Sequence, residues 1–240
     1  SDATKNDLSS YLKAYYDVNN KFTVFGDLQS RFISYELQGT DNDLRAIESD
    51  KTWAFFNPKV GASYVQGKNR FYGSYSIANR EPTRGDIIDA APGFTPKHES
   101  MRDLEIGYYY MANKFAFNAN FYNMQYDNQL VLTGEVNDVG DAVRSNVKES
   151  YRRGIELIAG YDFTKRINWQ MNMTLSQNKI ASFTEAVSDI LFNEFSDTDI
   201  SYSPNLIAGS DLGFKLYKKG KATLNLNLLT KYVSEQYLNN

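Results

Sequence analysis

Residues 167–178 read Ile-Asn-Trp-Gln-Met-Asn-Met-Thr-Leu-Ser-Gln-Asn, and a large apolar side chain gives way to an uncharged polar one at nearly every step. Ile167, Trp169, Met171, Met173 and Leu175 form one row; Asn168, Gln170, Asn172, Thr174, Ser176 and Asn178 form the other. A helix would scatter both rows around its axis. Only a strand, whose side chains alternate between two faces, keeps them apart. The leg is also long. Residues 166–178 extend roughly 43 Å at about 3.3 Å per residue, whereas soluble strands usually stop at about 5–6 residues. Tilted by about 40°, such a leg still crosses the apolar band of roughly 25 Å that a membrane barrel presents.

The same alternation returns in Lys221 to Val233, where Ala222, Leu224, Leu226 and Leu228 oppose Thr223, Asn225 and Asn227. It returns again in Lys114 to Tyr126, where Phe115, Phe117, Ala119 and Phe121 oppose Ala116, Asn118 and Asn120. Short polar turns at Val18–Lys21, Gln66–Asn69, Ala112–Lys114, Thr164–Arg166 and Lys218–Lys221 each join two such legs and read as tight hairpins. Between them lie the segments 36–51, 81–99, 127–146 and 180–200, rich in Asp, Asn, Gly, Thr and Ser and without a sustained period. These read as long loops. Five hairpins with tight turns at one end and long loops at the other predict an all-β, antiparallel up-and-down meander of about ten long strands.

Aromatic residues crowd the tight-turn ends: Tyr15, Tyr16 and Phe22 at the first, Tyr108–Tyr110, Phe115 and Phe117 at the third, Tyr161, Phe163 and Trp169 at the fourth. Rings with a polar tip prefer a boundary between apolar and wet layers, and every tight turn also holds or adjoins a Lys. A mean hydropathy of -0.52 and the lack of any long apolar run exclude membrane-spanning helices but not a membrane barrel, whose strands are half polar. On pattern alone two architectures stand, a transmembrane barrel segment and a soluble antiparallel binding or adhesion domain. They differ in whether the Trp169–Leu175 row meets lipid or a protein core.

Several classes drop out. The net charge of -3 gives no footprint for nucleic acid, and the absence of cysteine removes disulfides, zinc thiolates and thiol nucleophiles. His98 is the only histidine and no Gly-x-Ser-x-Gly accompanies it, so no catalytic residue, cofactor or metal site is assigned. The acidic pairs Asp41/Asp43 and Asp197/Asp199 lack the glycine and closing glutamate of a calcium loop and read as solvated loop acids. Arg84-Gly85-Asp86 matches an adhesion tripeptide that short sequences carry by chance.

A resemblance emerges at Phe55-Phe56-Asn57-Pro58-Lys59-Val60-Gly61-Ala62-Ser63-Tyr64, followed after a short turn by Arg70 to Asp86 with its Arg80-Glu81-Pro82. Asp103–Tyr108, Phe117–Tyr122, Tyr151–Leu157 and Tyr202–Asn205 follow in order. Together these resemble the strands of TonB-dependent outer-membrane receptors over nearly the whole chain.

That resemblance implies a Gram-negative outer-membrane protein that takes up a scarce nutrient, an iron–siderophore or cobalamin-like complex first. Energy would come from the TonB system, and the protein itself would catalyse nothing. Residues 1–240 are then expected to be part of the barrel from its C-terminal half, without signal peptide, plug domain or final hairpin. Glu105 and Glu156 are expected in the lumen, Gly107 and Gly154 at close approaches, and Arg153 at the membrane boundary beside Tyr151. The ligand is expected on the long loops, with Arg84, Phe94 and His98 on one and Phe192, beside Phe183 and Phe195, on another. Partners would be the plug, the TonB system, lipid and the nutrient complex. The alternative is a non-transporting sheet or barrel for adhesion or glycan binding.

Overall fold

The computed structural model describes residues 2–40, 46–90, 94–136, 140, 142–188 and 191–238. Their strands are β1 (Asp2–Asn19), β2 (Phe22–Thr40), β3 (Ala46–Gln66), β4 (Asn69–Arg80), β5 (Glu99–Met111), β6 (Phe115–Val136), β7 (Ala142–Asp162), β8 (Ile167–Ser188), β9 (Leu191–Asp199), β10 (Leu206–Lys219) and β11 (Ala222–Val233). A single short helix, α1 (Arg84–Ile88), lies between β4 and β5. The strands form one antiparallel sheet in chain order, except that β9 pairs only with β8 and β10 takes the next place along the sheet. The up-and-down meander expected from the hairpin pattern is the architecture.

The tight turns close through local chemistry. Asn19 Oδ1 accepts from the backbone N–H groups of Lys21 and Phe22, and Thr164 Oγ1 accepts from those of Arg166 and Ile167. Gly67 and Gly220 adopt positive φ at the second and fifth turns, where a side chain would be strained.

Pairing register then aligns the faces. Phe22, Tyr64, Phe71, Tyr108, Ala119, Leu157, Met173, Ala208 and Tyr232 stand opposite one another in turn, an apolar row crossing nine strands. One residue along, Thr23, Ser63, Tyr72, Gly107, Asn120, Glu156 and Thr174 form the matching row of the other face. Trp169, Met171 and Leu175 belong to the apolar face, with the Asn/Gln/Ser row behind them.

The apolar face has borders. At the tight-turn end, Phe71, Tyr108, Phe117, Phe115, Tyr161 and Phe163 form a chain of ring contacts with centroids 4.9–6.3 Å apart. At the other end the face turns polar, with Arg102 paired to Asp127 at 2.9 Å, Arg153 donating to Gln177, and Lys179 paired to Asp199 at 2.9 Å. Arg153 also stacks on the Tyr151 ring, 4.8 Å from its centroid. Tyr161 to Arg153 is eight steps of β7, roughly 26 Å along the strand.

The strands run far past that border, which corrects the expected loops. β2 and β3 stay paired to Thr40–Ala46, and β6 and β7 to Val136–Ala142. The segment 180–200 is the end of β8 folding back as β9, which makes eleven strands instead of ten. Beyond the border both faces can meet water, so hydrophobic alternation fades while the backbone ladder continues. The compact core of Val131, Val147, Ile180 and Ile200 sits at this end. Asp41 and Asp43 lie outside the described residues. No described helix is long and apolar enough to cross a membrane, which has no bearing on strands.

Both glycines expected at close approaches stand at one. A Cβ on Gly107 would run into the Tyr72 ring, and one on Gly154 into the backbone carbonyl of Leu175. A ring can swing aside; a ladder carbonyl cannot. Gly154→Ala is therefore expected to destabilise the sheet by ~1–3 kcal/mol, read as a lowered thermal midpoint, and Tyr122→Ala will not restore it. Gly107→Ala will be restored by Tyr72→Ala. Equal behaviour of the two glycine variants would contradict this account.

Candidate functional site

The connection between β4 and β5 folds back over the polar face as a strap, and its departure point is built into β3. Pro58 has no N–H to give, and the β3–β4 ladder ends beside it at Lys59–Ser76 while β3 continues along β2. Asn57 fills the gap with its side chain: Oδ1 accepts from the backbone and the side-chain amides of Asn79, each at 2.9 Å, and Nδ2 donates to Gln29.

Glu81 then enters a cationic cradle. It pairs with Lys5 of β1 at 2.6 Å and with Arg31 of β2 at 3.3 Å, and Arg31 also pairs with Asp7. Burial of the Glu81 carboxyl opposes ionisation, but the hydrogen bond from Lys5 and the charges of Lys5 and Arg31 outweigh it. Its pKa consequently lies below the ordinary 4.5.

Next comes α1, closed by a capping box in which Thr83 Oγ1 accepts from the Asp86 backbone and the Asp86 carboxylate accepts from the Thr83 backbone at 2.8 Å. The buried Asp86 side chain also pairs with Arg144 of β7 at 3.3 Å. Further on, the backbone of Lys97 is held in both directions by the Asn146 side chain. Glu99 accepts from the Leu130 backbone at 2.6 Å and pairs with Arg80. The strap is thus tied to β1, β2, β6 and β7.

Of the ligand candidates, Arg84 is exposed as the first residue of α1, and Phe94 is half-buried in the strap. His98 is exposed, with its ring 5.4 Å from that of Phe55 on β3. These three share the strap. Phe192 lies on β9 opposite Ala186, on a separate ribbon, and its side chain, like those of Phe183 and Phe195, is outside the described residues.

The adhesion tripeptide cannot present its carboxylate, since Asp86 is buried and bonded. Asp197 accepts from the Tyr151 hydroxyl and Asp199 pairs with Lys179, so these acids serve separate partners. Among the described residues no group of acids or His has metal-holding geometry.

The anchors Lys5, Arg31, Asn146 and Arg144 are distant in sequence and carry no motif. The Thr83-x-x-Asp86 spacing of a capping box was the one available signal for α1.

With this geometry in place, the comparisons fix the class. The model of the TonB-dependent receptor-like β-barrel family matches residues 1–240, and the chain belongs to that family. It is a family of receptors and transporters of Gram-negative outer membranes rather than of enzymes. No curated protein matches the chain by sequence.

Among solved structures, the copper transporter OprC is similar with a TM-score of 0.74 and 17% identity, over 89% of this chain and 33% of that one. The ferric yersiniabactin uptake receptor FyuA from Yersinia pestis gives 0.72 and 16%, over 99% and 35%. The siderophore receptor PiuA from Acinetobacter baumannii gives 0.69 and 16%, over 90% and 32%. The chain therefore spans about a third of the length of the structures it matches.

The strap's anchors set its mobility. Thr83→Ala removes a cap worth ~1 kcal/mol and should lower hydrogen-exchange protection across 84–90 about fivefold, as should Arg144→Ala. Because the Glu81 pKa is depressed on folding, its contribution is complete above about pH 6 and is lost as pH falls below 4.5. Protection factors for 82–90 should then fall between pH 6 and pH 3.5, and Glu81→Gln should flatten that response. An unchanged response in Glu81→Gln would remove Glu81 from the account.

Proposed function

We propose that residues 1–240 form one arc of the barrel wall of an outer-membrane receptor for TonB-energised nutrient uptake. In this reading further strands and a plug domain of the same protein complete the barrel. The observation that carries the reading is the family match over the whole chain, together with a sheet whose two faces divide as a barrel's do. The Phe22-to-Tyr232 row would meet lipid, and Glu105, Glu156 and the amide rows would line the lumen. Tilted by about 40°, the β7 band spans roughly 20 Å, close to the apolar height of such barrels. Tight turns would face the periplasm and the strap the outside.

The cargo is proposed as a metal complex, an iron–siderophore first and a cobalamin-like complex second. Support comes from structural relatives named for copper, ferric yersiniabactin and siderophores. The strap offers Arg84 for an anionic group and Phe94 and His98 for ring contacts, with Phe192 on the neighbouring ribbon. No catalytic step is assigned to the chain. The Arg84-Gly85-Asp86 tripeptide lends the adhesion alternative no support, because Asp86 is buried.

The test uses the full-length receptor in a strain relying on it for growth on a ferric siderophore panel. Growth on one member should require both the receptor and TonB. Arg84→Ala and His98→Ala should each weaken binding of that complex about tenfold, or roughly 1.4 kcal/mol. Growth independent of TonB would overturn transport, and unchanged affinity after removing 84–98 would take the ligand away from the strap.

A further inference from the structure

We propose that the tight-turn rim of the sheet is a docking surface for anionic phospholipid headgroups. Lys21, Lys68 and Lys114 stand one in each of the first three turns, and Lys165 and Arg166 share the fourth. Lys218, Lys219 and Lys221 surround Gly220 in the fifth. All eight are exposed, and none forms an ion pair or side-chain hydrogen bond among the described residues. At the opposite end Lys5, Arg31, Arg80, Arg102, Arg144 and Lys179 are each paired with a carboxylate, while Lys51, Lys97 and Lys148 stand without an ion pair among the described residues. The chain as a whole carries -3, yet at this rim eight unpaired cations face only Asp17 and Asp162 near the turns, a net basic edge on an acidic molecule.

Two physical arguments select the occupant. Adjacent hairpin turns stand roughly 10 Å apart, two strand spacings, which is about one Debye length at physiological ionic strength. Unpaired like charges at that spacing repel unless fixed anions lie among them. The second argument is depth. The ring chain from Phe71 to Phe163 begins one or two residues from these turns, and aromatic rims mark the level of lipid headgroups. Anionic headgroups occupy that level around the whole rim, and basic residues at a membrane surface attract them. A water-soluble acidic partner has no reason to sit at the aromatic border.

The inference rests on the outer-membrane orientation proposed above, and the test separates the two. Full-length receptor is placed in phosphatidylcholine nanodiscs containing a small fraction of spin-labelled phosphatidylglycerol or, in parallel, spin-labelled phosphatidylcholine. The motionally restricted fraction of each label is then read. The wild type should favour phosphatidylglycerol roughly threefold or more, and about 0.5 M NaCl should reduce that preference. The triple variant Lys218→Gln, Lys219→Gln, Lys221→Gln should bring it near parity. The double variant Lys165→Gln, Arg166→Gln should lower it in part, and Lys148→Gln, away from the rim, should leave it unchanged.

A receptor that inserts as a heat-modifiable barrel yet restrains both labels equally overturns the lipid surface alone and assigns the rim to a soluble partner. A preference that survives both rim variants overturns it too. A receptor that does not insert overturns the barrel reading and the lipid surface with it.

Discussion

The backbone ladder is the interaction on which everything else here depends. Each strand must pair its N–H and C=O groups with its neighbours, and in a lipid environment an unpaired group would cost several kcal/mol. The meander meets this demand with one row of partners continuous across nine strands, and with register shifts between those strands only toward strand ends, at Leu132–Val136 and Lys215–Tyr217 among the described residues. Because register is kept, period-two alternation within each strand becomes two continuous faces across the sheet. A one-residue slip of a whole strand within the apolar band would carry Asn and Glu onto the apolar face.

Burial is distributed in an unusual way as a result. Across the apolar band the large side chains point outward, and Leu8, Phe32 and Leu228 are more than half exposed. Protein-on-protein burial is displaced to the long-loop end, around Ile33, Leu37, Val131 and Ile180. There the strap and the strand extensions stabilise each other through ion pairs and capped turns instead of a thick core. The strap is held through Glu81, Asp86 and Lys97, and Arg84 and His98 stand exposed on it.

The two rims differ in charge chemistry as well as shape. At the long-loop end Lys5, Arg31, Arg80, Arg102, Arg144 and Lys179 each meet a carboxylate, often from a distant strand. At the tight-turn end the eight turn cations outnumber the nearby acids Asp17 and Asp162 and form no ion pair among the described residues, so the charge is left for the surroundings to balance. Short turns and unpaired charge therefore come together.

The sequence by itself determined the strands within the apolar band, their tight turns, their two faces and the glycines at Gly107 and Gly154. Each rests on a local rule: alternation, an Asn or Thr turn, or the absence of a Cβ. It misread 36–51, 127–146 and 180–200 as loops because strands wet on both faces lose their alternation while keeping their hydrogen bonds. It placed Arg84, Phe94 and His98 on one segment but could not show that the segment is strapped across four strands. That was decided only by tertiary structure, because Lys5, Arg31, Arg144 and Asn146 meet the strap through contacts between residues 49 to 76 positions apart.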